Sequence, residues 1–97
     1  MESVSTAATR TIKHMLDRQP LTPAKVVFAW RVAAGPALAR SASANWTADG
    51  GVLTLHARGA AWQRELERAL PLLKDRLSFL LGHQVVRKIL VVEDPHA

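Results

Sequence analysis

The chain has 97 residues, room for one compact domain, and at that length roughly two-thirds of the unfolded chain's surface can be buried on folding. Apolar residues make up 48%, with five Gly and five Pro, which excludes a disordered tail or a low-complexity linker, and the lack of cysteine excludes disulfide frameworks, thiolate nucleophiles and cysteine-held metals. Thirteen Lys and Arg against eight Asp and Glu give +5, and residues 1–45 hold six of the basic residues against only Glu2 and Asp17, so the N-terminal half carries most of the charge that attracts phosphates.

The N-terminal segment lacks the basic-then-apolar layout of a secretory signal, and no apolar run reaches the length of a membrane span. A soluble cytoplasmic protein without a membrane partner is expected. Ser3 or Ser5 caps a first helix that runs to about Arg18, with Val4, Ala8, Ile12 and Met15 or Leu16 on one face. Pro20 ends it, and Thr22-Pro23 supplies an N-cap and a first-turn proline for a second helix. Val26, Val27, Trp30, Ala33 and Ala34 set its apolar face, and Gly35-Pro36 bends or breaks it within roughly 23–42.

The period then changes. In "GVLTLHARG", Leu53, Leu55 and Ala57 point one way and Thr54, His56 and Arg58 the other, as in a strand with one buried face. Asp49-Gly50-Gly51 supplies the turn of a hairpin whose other strand is Ser43–Thr47. From Ala60, the residues Trp62, Leu66, Leu70, Leu73, Leu77 and Leu80 or Leu81 recur at helical spacing, with Pro71 as a potential kink and Gly82 as a left-handed terminator. Gln84–Glu93, "QVVRKILVVE", reads as a final strand. The expected fold is α+β, a single domain over 1–97 in the order α-α-β-β-α-β. A three-stranded mixed sheet has its helices on one face, and the strands joined through the long helix run parallel by a right-handed crossover if they are neighbours.

Catalytic chemistry is not legible. His14, His56, His83 and His96 fall in separate elements without metal-ligand spacing, the carboxylates are scattered, the serines lack a nucleophile elbow, and "DGGV" is hairpin chemistry rather than a phosphate loop. No enzymatic activity, metal or cofactor is expected. Trp30, Trp46 and Trp62 are each either stacking platforms for bases or core anchors. Register favours the core for Trp30 and Trp62, together with Leu66, Leu70, Leu73 and Leu77, and leaves Trp46 open.

The segment from "AWRVAAGPALARSASANW" through "GVLTLHARGAAWQREL" to "VVRKILV" resembles the DciA family, bacterial proteins that serve the replicative helicase. The likeness rests on Trp30, Val32, Gly35, Gly51 to Leu55, Ala61-Trp62, Glu65-Leu66, and Val86, Lys88 and Ile89, in order, within a family-like core of about 26–92. It implies a type II KH-like domain, binding to single-stranded or forked DNA, and recruitment or loading of the replicative hexameric helicase at initiation of chromosome replication. Three departures stand out. The GxxG loop with which KH modules clamp a nucleic-acid backbone is missing, Gly59 replaces a frequent Ser helix cap, and the basic tail that follows the last strand in many relatives is not seen.

The phosphate contacts expected on this reading are Lys13, Arg18, Lys25, Arg31, Arg40, Arg64, Arg68, Arg87 and Lys88. The competing reading of each is a solubilising charge paired locally, as Arg64 with Glu67 and Arg68 with Glu65 at i,i+3 spacing. Two other functions remain open: an RNA- or ribosome-associated KH-like module, and a pure protein-interaction domain docking through its sheet. The residues do not decide the oligomeric state.

Overall fold

The structure is a computed structural model that describes the backbone of residues 2–94 and the side chains of residues 8–94. The side chains of Ser3, Val4 and Ser5, and His96, lie outside the described residues. The first helix, α1, spans Glu2–Asp17, so Ser3 and Ser5 sit inside it rather than capping it. Leu16 is its buried anchor and Ile12 is half-buried, whereas Met15 is exposed.

Helix α2 covers Pro23–Arg40. Thr22 caps it as its sequence implies, Oγ1 accepting the Lys25 N–H at 3.2 Å, with Pro23 in the first turn. Its axis breaks at Gly35, at φ 81° and ψ 169°, a region essentially reserved for glycine. Pro36 brings no N–H to the helical ladder. Before the break the carbonyl of Ala33 takes a 2.7 Å hydrogen bond from the Arg76 guanidinium on the third helix, a cationic cap at a helix C-terminus.

The sheet comprises β1, Ala42–Thr47, then a 3-10 turn at Asp49–Gly51, β2, Val52–Ala57, and β3, Lys88–Glu93, in the order β1-β2-β3. β1 and β2 are antiparallel, Ala42 opposite Ala57 and Trp46 opposite Leu53; β2 and β3 are parallel, Leu53 beside Ile89 and Leu55 beside Val91. Burial alternates along β2: Leu53, Leu55 and Ala57 are inaccessible, and the residues between them are half-exposed. On the less covered face the register brings together Ser43, His56 and Val92, then Asn45, Thr54 and Leu90.

Helix α3, Ala60–Leu81, packs Leu66, Leu73, Leu77 and Leu80 onto the buried face and runs unbroken through Pro71, which lies on its exposed side. Gly82 ends it with φ 94° but ψ 156°, extended rather than left-handed helical. One apolar cluster joins these leucines to Trp30, Ala33, Trp46 and Ile89.

The last strand starts at Lys88 rather than Gln84 because the approach to it is spent on the hairpin. The Val85 carbonyl accepts the indole N–H of Trp46 at 3.0 Å, and the Arg87 N–H donates to Gly51 O at 2.8 Å. These contacts fix Trp46 as a buried residue and set the register of β3. Gly51 permits the approach: its φ is +62°, and a Cβ there would lie 2.8 Å from the Val85 oxygen. Gly51→Ala is therefore expected to lower stability by about 1–3 kcal/mol, strain and clash together. Thermal melting measures this, and an unchanged midpoint would show that the latch is not needed.

Candidate nucleic-acid interface

Arg31 lies on α2 before its break and Arg40 in its last turn, after it. Arg58 directly follows β2, and the pairing of Ala42 with Ala57 draws it to the junction of α2 and β1. The Arg58 N–H donates to the Ser41 carbonyl at 2.8 Å, while buried Ser41 turns its hydroxyl onto Leu38 O at 2.7 Å, so the junction is held by short-range polar contacts. The three arginines line one cleft of about 670 Å³ whose apolar lining includes Val27, Trp30, Ala42 and Ala44, and no carboxylate lines it. All three are exposed, and none makes an ion pair with a described residue.

The other expected cations are distributed differently. Lys13 is bound to Asp17 at 2.8 Å and sits 5.9 Å from the centre of the Phe79 ring. Its hydrogen bond is the main reason the Asp17 carboxyl is held below its ordinary range. Lys25 donates to the Gln19 carbonyl at 3.0 Å, and Arg68 reaches Glu65 at 3.2 Å, whereas Arg64 makes no ion pair with Glu67. Arg18 follows α1, Arg64 is on α3, and Arg87 and Lys88 lie at the start of β3. These four are exposed but outside the cleft.

Of the nine expected contacts, then, the fold gathers only Arg31 and Arg40, and it adds Arg58. The hairpin register carried the signal for Arg58: once Ala57 pairs with Ala42, the next residue must lie beside the end of α2. A second cleft of about 600 Å³, between α1 and α3, is lined by Lys13, Asp75, Ser78, Phe79 and His83. Its lysine is already engaged by Asp17 and it includes a carboxylate, so it is the poorer anion site. His56 shares a 3.0 Å hydrogen bond with Asn45, and among the described residues no group of three or more His, Asp and Glu side chains is placed to hold a metal ion. No described helix is long and apolar enough to cross a membrane.

The expected core needs one correction. Trp30, Leu66, Leu73 and Leu77 are buried and Leu70 half-buried, but Trp62 remains 39% exposed. Its helical angle is that of the leucine stripe; its height is not. The first turn of α3 passes the C-terminal end of β3, where the neighbouring Gln63 reaches the Val91 carbonyl at 3.5 Å, and the layers there no longer enclose a large ring.

The architecture defines a small α+β domain with a mixed three-stranded sheet and an arginine-lined cleft at the outer edge of β1. The family model described as "Dna[CI] antecedent, DciA" matches residues 3–91, and the chain belongs to the DciA family. That membership is consistent with a role in loading the bacterial replicative helicase. No curated protein and no solved structure gives a significant match.

Truncation separates the two tryptophans. Trp30→Ala is expected to cost about 3–5 kcal/mol, as large buried truncations do, and Trp62→Ala about half of that or less. Chemical denaturation of both variants checks this, and equal losses would mean that Trp62 is covered in solution.

Proposed function

We propose that this protein is a non-catalytic accessory factor that binds single-stranded or forked DNA and recruits or loads the replicative hexameric helicase at initiation of bacterial chromosome replication. The observation that carries the reading is the match to the DciA family over residues 3–91. The arginine cleft supports this reading. Arg31, Arg40 and Arg58 offer forked donors to successive phosphates around one cleft, and a guanidinium fits a phosphate in two-point contact. From α2 onward the order α-β-β-α-β is the one a type II KH-like domain would have. Without a GxxG loop the backbone clamp of such domains has no counterpart here, so the cleft takes over the phosphate contacts.

Arg18, Arg64, Arg87 and Lys88 add to the positive field and to the encounter rate more than to the bound complex. Lys13, Lys25 and Arg68 contribute less, since each would have to give up a partner it already has.

The triple variant R31Q/R40Q/R58Q is expected to fold normally, to bind forked DNA more weakly at every sequence, and to lower the slope of log affinity against log salt by roughly 2–3, one per lost phosphate contact. Fluorescence anisotropy over a salt series measures both. An unchanged slope removes the cleft from the interface, and tighter binding of structured RNA than of forked DNA at equal salt would move the reading to an RNA-associated module. A helicase pull-down with and without nuclease tests the second half: capture is expected in both, and failure in both would leave a nucleic-acid-binding protein alone.

A further inference from the structure

Arg76 directs its guanidinium at a carbonyl rather than at a carboxylate. It makes no ion pair with a described residue, although Asp75 precedes it, and its Nη1 donates to the Ala33 oxygen at 2.7 Å across the gap from α3 to α2. That carbonyl lies two residues before Gly35, at the C-terminal end of the first part of α2, where the helix dipole favours a cation.

The joint at Gly35 divides the cleft arginines into two groups. Arg31 belongs to the first part of α2, which is seated in the core by Val26, Ala29, Trp30 and Ala33. Arg40 and Arg58 belong to the other side. There the Ser41 N–H donates to Leu38 O at 3.0 Å and the Arg58 N–H to Ser41 O at 2.8 Å, which ties the end of α2 to the end of β2. Within the joint the chain offers little resistance to bending: a Cβ at Gly35 would meet nothing within 4 Å, and Pro36 has no N–H to return to the preceding turn. Arg76 reaches this point from α3, which is itself anchored by buried Leu73, Leu77 and Leu80.

We propose that Arg76 is a positioning residue for the nucleic-acid cleft: held on the Ala33 carbonyl, it fixes the angle at Gly35 and so the spacing of Arg31 from Arg40 and Arg58. This role rests on the cleft being the phosphate site. Guanidinium groups take successive phosphates together only when their separation matches the backbone they bind. An Arg31 that swings with the joint must lose that freedom on binding, whereas a held one has lost it already. Arg76 does not line the cleft, so it acts through α2 rather than by touching the nucleic acid.

Fluorescence anisotropy with a short single-stranded DNA oligonucleotide over a salt series tests this with Arg76→Met, Arg76→Lys, Arg31→Gln, the double variant R31Q/R76M, and Lys74→Met. The last removes one exposed charge from the same helix and serves as the control for the overall field; circular dichroism confirms that each variant is folded. Arg76→Met is expected to weaken binding by about three- to tenfold and to lower the salt slope by about one, as Arg31→Gln does, because the same phosphate contact is lost. Lys74→Met should change affinity by less than about twofold. Arg76→Lys keeps a cationic donor for the carbonyl and should retain most of the binding. In R31Q/R76M the two losses should not multiply, since an absent Arg31 cannot be misplaced. Losses that multiply, or an Arg76→Met that behaves like Lys74→Met, overturn the proposal. The nucleic-acid-free protein gives a second readout: the amides of Val32, Ala33 and Ala34 should exchange with solvent about tenfold faster in Arg76→Met than in the parent or Lys74→Met. Unchanged exchange overturns the proposal whatever the cleft binds. Faster exchange together with an Arg31→Gln that binds like the parent overturns the reading of the cleft, and this role with it.

Discussion

The break in α2 at Gly35 is the constraint on which the remaining geometry turns. An unbroken helix over Pro23–Arg40 would extend roughly 27 Å in a straight line, and its end would not be aimed at the sheet. At Gly35 the chain enters a backbone region that a side chain would make costly, Pro36 then cannot continue the ladder, and the shortened last turn delivers Ser41 to the start of β1. The carbonyl exposed at Ala33 would be a liability at this interior joint; Arg76 answers it from α3 and ties the long helix to the bent one. Arg31 and Arg40 stand on opposite sides of the break, so the bend that starts the hairpin also shapes the cleft.

Charge counted along the chain and charge available on the folded surface are different quantities. The basic N-terminal half includes Lys13 and Lys25, yet one is held by a carboxylate and the other by a backbone oxygen. The cleft takes its third arginine from the less basic half, because pairing of β1 with β2 brings distant sequence together. Exposed ion pairs such as Arg68 with Glu65 contribute little to stability, but they do cancel a charge locally, and an anion feels the uncancelled ones. Three guanidinium groups without an ion pair to a described residue line one cleft with an apolar floor and no lining carboxylate.

Most of the architecture was legible because it depends on local rules. Thr22-Pro23, Gly35-Pro36 and Asp49-Gly50-Gly51 each impose a backbone event wherever they occur, and the change from helical to alternating spacing separates the hairpin from α3. Leu66, Leu73 and Leu77 are buried as their spacing requires. What the spacing omits is height along the helix axis: Trp62 has the angle of a core residue but lies where the sheet ends. The shortened β3 was hidden for another reason, since the use of Val85 and Arg87 by the hairpin is a contact between segments far apart in sequence. Arg76 was equally opaque, a surface residue by composition and a helix cap by position. Arg58 lay between the two cases, available from the pairing register but not from charge alone.

On the proposed function, a nucleic-acid backbone lies along the α2–β1 cleft rather than across the open face of the sheet. Arginine side-chain NMR during titration with a short single-stranded oligonucleotide tests it most directly. The Nε–Hε resonances of Arg31, Arg40 and Arg58 should move together and saturate at one stoichiometry, while those of Arg68 and the amides of Thr54, His56 and Leu90 stay near their starting positions. Largest shifts at Thr54, His56 and Leu90, with the three cleft arginines unmoved, would contradict the account.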